Sequence, residues 1–80
     1  MPISAAKFDA TAIDVKVTED HLMVILADGR ELAAPLTWFP RLADATIDQR
    51  KNWRLIGRGQ GINGPDIDED ISVASLLRAA

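Results

Sequence analysis

The sequence predicts an α+β fold in which short helices pack on an antiparallel sheet. Apolar residues in the first third have the two-residue period of strands, the centre has a helix-capping signal, and the end has apolar residues at helical spacing. The expected elements are three N-terminal strands, a fourth strand near 53–57, short helices near 37–43 and 46–52, and a C-terminal helix at 72–79. We divide the 80 residues into a loose lead-in at 1–10 and a single α+β domain at 11–80, because this length has room for one core.

The first two predicted strands differ in their apolar pattern. Ile13, Val15 and Val17 alternate with polar residues, which is typical of a strand with one face in water. The segment 22–27 is apolar at every position. Such a run indicates a central strand that is covered on both faces.

A turn signal separates the second and third strands. The dipeptide Asp28-Gly29 favours a two-residue hairpin loop in which both residues have positive φ. The returning strand, 30–34, ends before Pro35, which has no N–H to donate to a ladder. The first third of the chain therefore predicts a three-stranded antiparallel meander.

Two short helices are predicted in the centre of the chain. Thr37 is placed to cap a turn that contains Pro40, and a proline in the first turn loses only an N–H that had no helical partner. Thr46 and Gln49 have capping-box spacing, so the Thr46 hydroxyl accepts from the Gln49 N–H while the Gln49 side chain reaches back.

The remainder of the chain predicts a strand, a loop and a last helix. The strand begins at Trp53, and the glycine-rich segment 57–65 after it is expected to be a loop, because glycine supplies backbone freedom. Ser72 is the predicted N-cap of the last helix. The apolar face of that helix is expected to lie on the sheet and consists of Val73, Leu76, Leu77 and Ala80.

Composition limits the possible reinforcements and the location of the protein. The chain has no cysteine, which excludes disulfides and thiolate metal sites, and it has one histidine. Its longest apolar run is far too short to cross a bilayer, and the N-terminus lacks the features of a secretory signal. We therefore expect a cytoplasmic protein without membrane contact.

Charge is distributed unevenly along the chain. The net charge of −3 consists of −3 over residues 1–40, +3 over 41–58 and −3 over 59–80. A basic centre between acidic ends has three uses that the sequence leaves open, namely internal pairing, pairing with a second copy, or contact with an acidic partner.

Several linked motifs resemble the domain-of-unknown-function family 2442 of small bacterial proteins. These motifs are PLTWFPRLADAT, QRKNWRLIG, GQGI and DIDEDISV, and the resemblance extends from Val15 to Leu77. It implies a short stand-alone protein or a domain that precedes a repressor-like helix-turn-helix. Some members are encoded beside another small protein, as in toxin–antitoxin pairs. Where the family often has Gly-Ile-His-Trp-Pro, this chain has Asn63 and Gly64 in place of histidine and tryptophan.

Patterns for catalysis, cofactors or metals are weak. The glycines of 57–61 lack the spacing of nucleotide-binding loops. Asp66, Asp68 and Asp70 alternate, but the calcium-loop glycine and glutamate are missing, so a structural role before the last helix is favoured. His21 is expected to be an exposed turn residue without a catalytic partner. We therefore expect no enzymatic activity, no cofactor and no metal.

Aromatic and basic residues of the centre form the candidate partner-binding set, which consists of Trp38, Arg41, Arg50, Trp53 and Arg54. Tryptophan and arginine are enriched at protein–protein hot spots, and they also stack on bases and bind phosphates. The alternative is that both tryptophans are core residues. Because the net charge is negative, we expect a non-enzymatic protein-interaction or regulatory, antitoxin-like partner protein. The other hypothesis is a nucleic-acid-associated transcriptional regulator that uses the central basic patch.

Overall fold

The computed structural model describes residues 8–79, which form two small antiparallel sheets and three short helices. The elements in chain order are strands β1 (Ala12–Val17), β2 (His21–Leu26) and β3 (Glu31–Pro35), helices α1 (Pro40–Ala43) and α2 (Ile47–Lys51), strands β4 (Arg54–Ile56), β5 (Gly61–Gly64) and β6 (Glu69–Ser72), and helix α3 (Val73–Ala79). Single 3-10 turns cover Leu36–Trp38, Gly57–Gly59 and Pro65–Ile67. The predicted α+β class is confirmed.

The first sheet has the strand order β1-β2-β3, which confirms the predicted meander. Leu22, Val24 and Leu26 of β2 are fully buried, whereas Met23 and Ile25 point to the other face and are only partly buried. The described residues therefore cover one face of β2, where the sequence predicts two. On the other face, side chains of the neighbouring strands partly cover Met23 and Ile25. Apolar side chains do not need complete burial in a folded protein.

The loop between β2 and β3 is longer than predicted. The Leu26 N–H donates to the Arg30 carbonyl at 2.8 Å, and the Gly29 N–H donates to the Leu26 carbonyl at 3.0 Å, which leaves three loop residues, 27–29. Only Gly29 has positive φ in this loop, at 93°. The predicted two-residue turn is wrong, because a tight turn followed by one left-handed glycine closes the hairpin equally well.

The N-terminal segment is joined to this loop. The Ala27 N–H donates to the Thr11 carbonyl at 2.8 Å, and the Asp28 N–H donates to the Asp9 carbonyl at 3.3 Å. Of the predicted loose lead-in, residues 1–7 lie outside the described residues. The part next to β1 is tied to the hairpin by backbone hydrogen bonds.

Capping residues begin α2 and α3 as predicted. The predicted Thr37 cap is wrong, because α1 begins after Phe39 and has no side-chain cap hydrogen bond. The Thr46 hydroxyl accepts from the Gln49 N–H at 3.2 Å, and the Gln49 side-chain oxygen accepts from the Thr46 N–H at 2.9 Å. At α3, the Ser72 hydroxyl accepts from the Ser75 N–H at 3.2 Å. The capping box of α2 and the N-cap of α3 are therefore both confirmed.

For the second sheet, β4-β5-β6, one predicted strand is confirmed and one predicted loop is wrong. The predicted fourth strand forms, but it pairs with β5 and does not extend the first sheet. Strand β5 lies in the segment 57–65, where a loop is predicted. Two of the glycines serve close packing here, because a Cβ would lie 3.0 Å from the Ile56 side chain at Gly61 and 3.2 Å from the Trp53 ring at Gly64.

The acidic segment after the predicted loop is not one extended strand. A 3-10 turn, Pro65–Ile67, leads to Asp68, whose φ is 52°, and β6 begins only at the next residue. Asp66, Asp68 and Asp70 therefore do not alternate along one strand face. Asp66 instead accepts a hydrogen bond from the side-chain amide of Asn52 at 2.9 Å.

One hydrophobic core connects the two sheets and α3. Its buried residues come from β1, β2, β3, the first 3-10 turn, α1, β5, β6 and α3, and are Ala12, Leu22, Val24, Leu26, Ala34, Leu36, Leu42, Ile62, Ile71, Val73 and Leu76. Val73 and Leu76 are buried and Leu77 is partly buried against this cluster. The expected packing of the last helix on the sheet is confirmed.

Candidate functional site

Arg50 is bonded to the end of a neighbouring helix. Its Nε donates to the Leu42 carbonyl at 3.3 Å and its Nη2 donates to the Ala43 carbonyl at 2.7 Å. These carbonyls belong to the last turn of α1, where carbonyl groups have no partner within the helix. The partly buried guanidinium therefore fastens α2 to α1 and supplies a donor to the Ala43 carbonyl, while the Leu42 carbonyl also accepts from the Ala45 N–H at 3.2 Å.

The other two arginines of the candidate set bond to the C-terminal third. Arg41 Nη1 donates to the Asp68 carbonyl at 2.7 Å and lies 3.8 Å from the Asp68 carboxylate. Arg54 Nε donates to the Asn63 side chain at 2.8 Å, and the Asn63 amide donates to Asp70. The basic centre thus bonds with the acidic end, which is the first of the three uses that the sequence leaves open.

The two tryptophans have different surroundings. Trp38 is 49% exposed and lies beside β6 and α3, near Glu69. Trp53 is mostly buried and packs over Gly64, and its Nε1 is buried without an acceptor among the described residues. Trp53 therefore belongs to the edge of the core, whereas Trp38 is a surface residue.

The predicted partner-binding set separates into two regions. Trp38 lies by β6, and Arg41 bonds just ahead of that strand at Asp68. Trp53, Arg54 and Arg50 instead border two adjoining depressions beside β1. The sequence proximity of these residues does not place them on one surface.

We call the two depressions beside β1 the β1 groove. One part has a volume of about 240 Å³ and is lined by Ile13, Asp14, Val15, Lys51, Trp53, Arg54 and Leu55. The other part has a volume of about 290 Å³ and is lined by Val17, Thr18, Glu19, Ile47, Arg50 and Lys51. Lys51 lines both parts, so the two depressions adjoin each other beside β1.

Large apolar side chains remain exposed in the β1 groove. Ile47 is 70% exposed, Ile13 58% and Leu55 41%. Apolar side chains that cluster on a surface beside charged residues are typical of contact sites. Lys51 and Arg54 provide the cationic rim of the groove.

The exposure of Ile13 has a structural cause in β1. Ala12 pairs with Leu26 and Asp14 pairs with Ile25, so Ile13 is an extra residue in a β-bulge. A bulge re-aims a side chain that would otherwise alternate with its neighbours. The sequence pattern predicts one face for Ile13, Val15 and Val17, and the bulge removes Ile13 from it.

Sequence reasoning did not select Ile13, Ile47, Lys51 or Leu55 as site residues. Three of them are apolar and fit the pattern of an amphipathic element, so nothing local distinguishes an exposed isoleucine from a buried one. Ile47 offers one signal, because it occupies the first position of a capped helix, where polar residues are usual.

The remaining candidate residues form no further constellation. His21 is the exposed first residue of β2, and its N–H donates to the Thr18 hydroxyl at 3.0 Å. Within residues 8–79, no three histidine or acidic side chains are grouped as metal ligands would be. No helix in the described part of the chain has both the length and the apolar character needed to span a membrane.

Residues 12–80 match the family described as protein of unknown function (DUF2442). The chain belongs to this family. The resemblance that the motifs indicate is thereby confirmed, since the match covers nearly the whole chain. No curated protein matches the chain.

Two solved structures have the same fold. A protein of unknown function from Rhodospirillum rubrum is 24% identical, with 86% of each chain covered and a TM-score of 0.75. An uncharacterized protein from Chromobacterium violaceum is 27% identical, with 85% of this chain and 64% of that chain covered and a TM-score of 0.73. Both are similar in architecture, and neither description names an activity.

The structure also locates the positions at which the chain departs from the frequent family motif. Asn63 is the middle of a row of side chains across the second sheet, between Arg54 and Asp70. Gly64 lies under the Trp53 ring, where even a Cβ would approach within 3.2 Å. Asn63 therefore links the three strands of the second sheet, and Gly64 leaves space for the Trp53 ring.

Proposed function

We propose that this chain is a cytoplasmic, non-enzymatic protein-interaction domain, a small regulatory or antitoxin-like partner protein that binds its partner in the β1 groove. One observation carries the proposal. Ile13, Ile47 and Leu55 remain exposed in two adjoining depressions that share the cationic residue Lys51. Covering apolar side chains of this size with a partner removes their surface from water and stabilises the complex. The regulatory, antitoxin-like character is what the resemblance of the sequence motifs implies.

The net charge of −3 favours a protein partner over nucleic acid, because the chain as a whole repels a polyanion. Binding to phosphates also weakens steeply as the salt concentration rises. A nucleic-acid gel shift at low salt that disappears at higher salt would support the alternative, a transcriptional regulator that uses the basic patch.

The test is recovery of a specific partner from native cells with tagged protein. Ile47→Asp is a suitable variant, because an acidic residue in the first turn of α2 favours the helix while it removes the most exposed apolar side chain of the groove. We expect Ile47→Asp to abolish recovery of the partner. Leu55→Ser is expected to do the same from the other part of the groove.

Trp38→Ser is the matched control, since Trp38 is half-exposed and lies outside the β1 groove. We expect it to recover the partner as the wild type does. Loss of the partner with Trp38→Ser alone would move the contact to the surface near β6. Recovery of the partner with all three variants would contradict the proposal.

A further inference from the structure

One edge of the first sheet runs along the β1 groove. Strand β1 is the outermost strand of its sheet, with β2 on one side only. The Thr18 N–H donates to the His21 carbonyl at 2.9 Å, so Thr18 and His21 form a hydrogen-bonded pair. Bonded and non-bonded pairs alternate in an antiparallel ladder. The backbone groups of Val17 and Val15 therefore point away from β2, towards the free edge.

Among residues 8–79, no strand pairs with this edge of β1, and α2 and β4 lie near it. Val15 and Val17 each line a part of the β1 groove. The Val15 N–H donates to the carboxylate of the adjacent Asp14 at 2.9 Å. A local carboxylate that occupies an edge N–H is a device that discourages pairing with other chains, and an incoming carbonyl can displace it.

The charges along the groove identify the kind of segment that would pair there. Its lining contains three cationic side chains and two anionic ones, namely Arg50, Lys51, Arg54, Asp14 and Glu19. This local excess of positive charge occurs in a chain whose net charge is −3. Charge complementarity therefore favours an acidic partner segment.

We propose that the β1 groove binds an extended acidic segment of the partner protein, which adds to the free edge of β1 as a fourth strand of the first sheet. Main-chain bonds to Val15 and Val17 hold the segment, as in other cases of strand addition. Acidic side chains of the segment meet Lys51, and its apolar side chains cover Ile47 and Leu55. This inference rests on the proposed function and deepens it by naming the partner's chemistry.

The experiment is an NMR titration of the isotope-labelled protein with a six-residue peptide that alternates valine and glutamate. We expect saturable shifts of the Val15 and Val17 amides, and slower hydrogen exchange at both. A peptide that alternates valine and lysine is the control and should give neither effect. Lys51→Glu should weaken binding of the acidic peptide by about tenfold, because an attractive contact becomes repulsive. Arg78→Glu, on α3 and outside the groove, should leave the affinity unchanged.

Three outcomes would overturn the inference. These are shifts that avoid Val15 and Val17, equal binding of the lysine peptide, and shifts that grow with protein concentration before any peptide is added. The last outcome would assign the edge to a second copy of the chain. If Ile47→Asp still abolishes partner recovery while the acidic peptide fails to bind, this inference is wrong and the proposed function stands. If the acidic peptide binds while every variant recovers the partner, the proposed function is wrong.

Discussion

A Cβ on Gly59 would lie 2.6 Å from the carbonyl oxygen of Ala12. Gly59 is buried and has φ of 84°, in a turn where Gly57 and Arg58 also have positive φ. The turn between β4 and β5 therefore touches the beginning of β1 backbone to backbone. This contact is one of those that hold the two sheets against each other.

Replacing Gly59 with alanine should destabilise the protein by about 3 kcal/mol, from left-handed backbone strain and from a clash with main-chain atoms that cannot rotate away. The free energy of unfolding in urea measures this change. Gly29→Ala is the matched control, since Gly29 has φ of 93° but no atom within 4 Å of the added Cβ. It should cost only about 1 kcal/mol, from the strain alone. Equal costs at the two positions would contradict the packing role of Gly59.

Asp28 makes the stability of the β2–β3 hairpin depend on pH. The hydrogen bond from the Arg30 side chain is the main cause that lowers the pKa of Asp28 from 3.8 to about 2. Arg30 Nε lies 3.1 and 2.9 Å from the two carboxylate oxygens, and the Asp9 N–H donates to one of them at 2.8 Å. Because the pKa is lower in the folded state, this contribution to stability is complete above pH 3.8 and is lost as the pH falls towards 2.

We therefore expect the free energy of unfolding of the wild type to fall between about pH 4 and pH 2. Asp28→Asn should be less stable at pH 7 and should lose much of this pH dependence. Arg30→Gln should reduce the pH dependence as well, because it removes the main cause of the lowered pKa. Denaturant unfolding at several pH values provides the measurement. A wild-type slope that Asp28→Asn leaves unchanged would show that another carboxylate is responsible.

Arg50 and Lys51 are adjacent in the sequence, but their predicted contributions to stability differ. Arg50→Ala should destabilise the protein by about 2 kcal/mol, because it leaves two carbonyls of α1 without their charged donor. Arg50→Lys should not restore the full stability, since one ammonium cannot reproduce the planar two-point contact. Lys51→Ala should change the stability by less than about 0.5 kcal/mol, because Lys51 is exposed. Denaturant unfolding compares the three variants. If Arg50→Ala is as stable as the wild type, Arg50 does not stabilise the contact between α1 and α2.

Local signals predict the parts of this fold that depend on residues close in sequence. The Thr46–Gln49 capping box and the Ser72 cap each join residues three positions apart, so sequence spacing alone determines whether they can form. The turn at Gly29 is also local, but two loop geometries suit the same dipeptide. The number of loop residues is decided by the register of the flanking strands, which the dipeptide does not encode.

The candidate site depends mainly on contacts between distant residues, and this explains what the sequence did not predict. The bonds from Arg54 to Asn63 and from Asn63 to Asp70 require a strand where the glycine content predicts a loop. The position of Ile13 depends on a bulge, and a bulge shifts the strand period without any distinctive residue. The sequence predicts Arg50, Trp53 and Arg54 as site residues. It does not predict that they line the β1 groove, because this depends on the register of the strands.

The two tryptophans test this contrast between sequence and structure. The sequence does not distinguish Trp38 from Trp53, whereas the structure mostly buries Trp53 and leaves Trp38 half-exposed. Trp53→Ala should destabilise the protein by about 3 kcal/mol, whereas Trp38→Ala should cost less than about 1 kcal/mol because its ring is half in water. Trp53→Phe should cost much less than Trp53→Ala, since the indole N–H has no acceptor to lose among the described residues.

The single-tryptophan variants also separate the two sites by fluorescence. Trp38→Phe leaves Trp53, whose emission should be at shorter wavelength and resist quenching by acrylamide. Trp53→Phe leaves Trp38, whose emission should be quenched readily. Addition of the acidic peptide should perturb the emission of Trp53, which lines the β1 groove, and leave that of Trp38 unchanged. The opposite response would place the peptide beside β6, where Glu69 and Asp70 line the surface around Trp38 and would repel it.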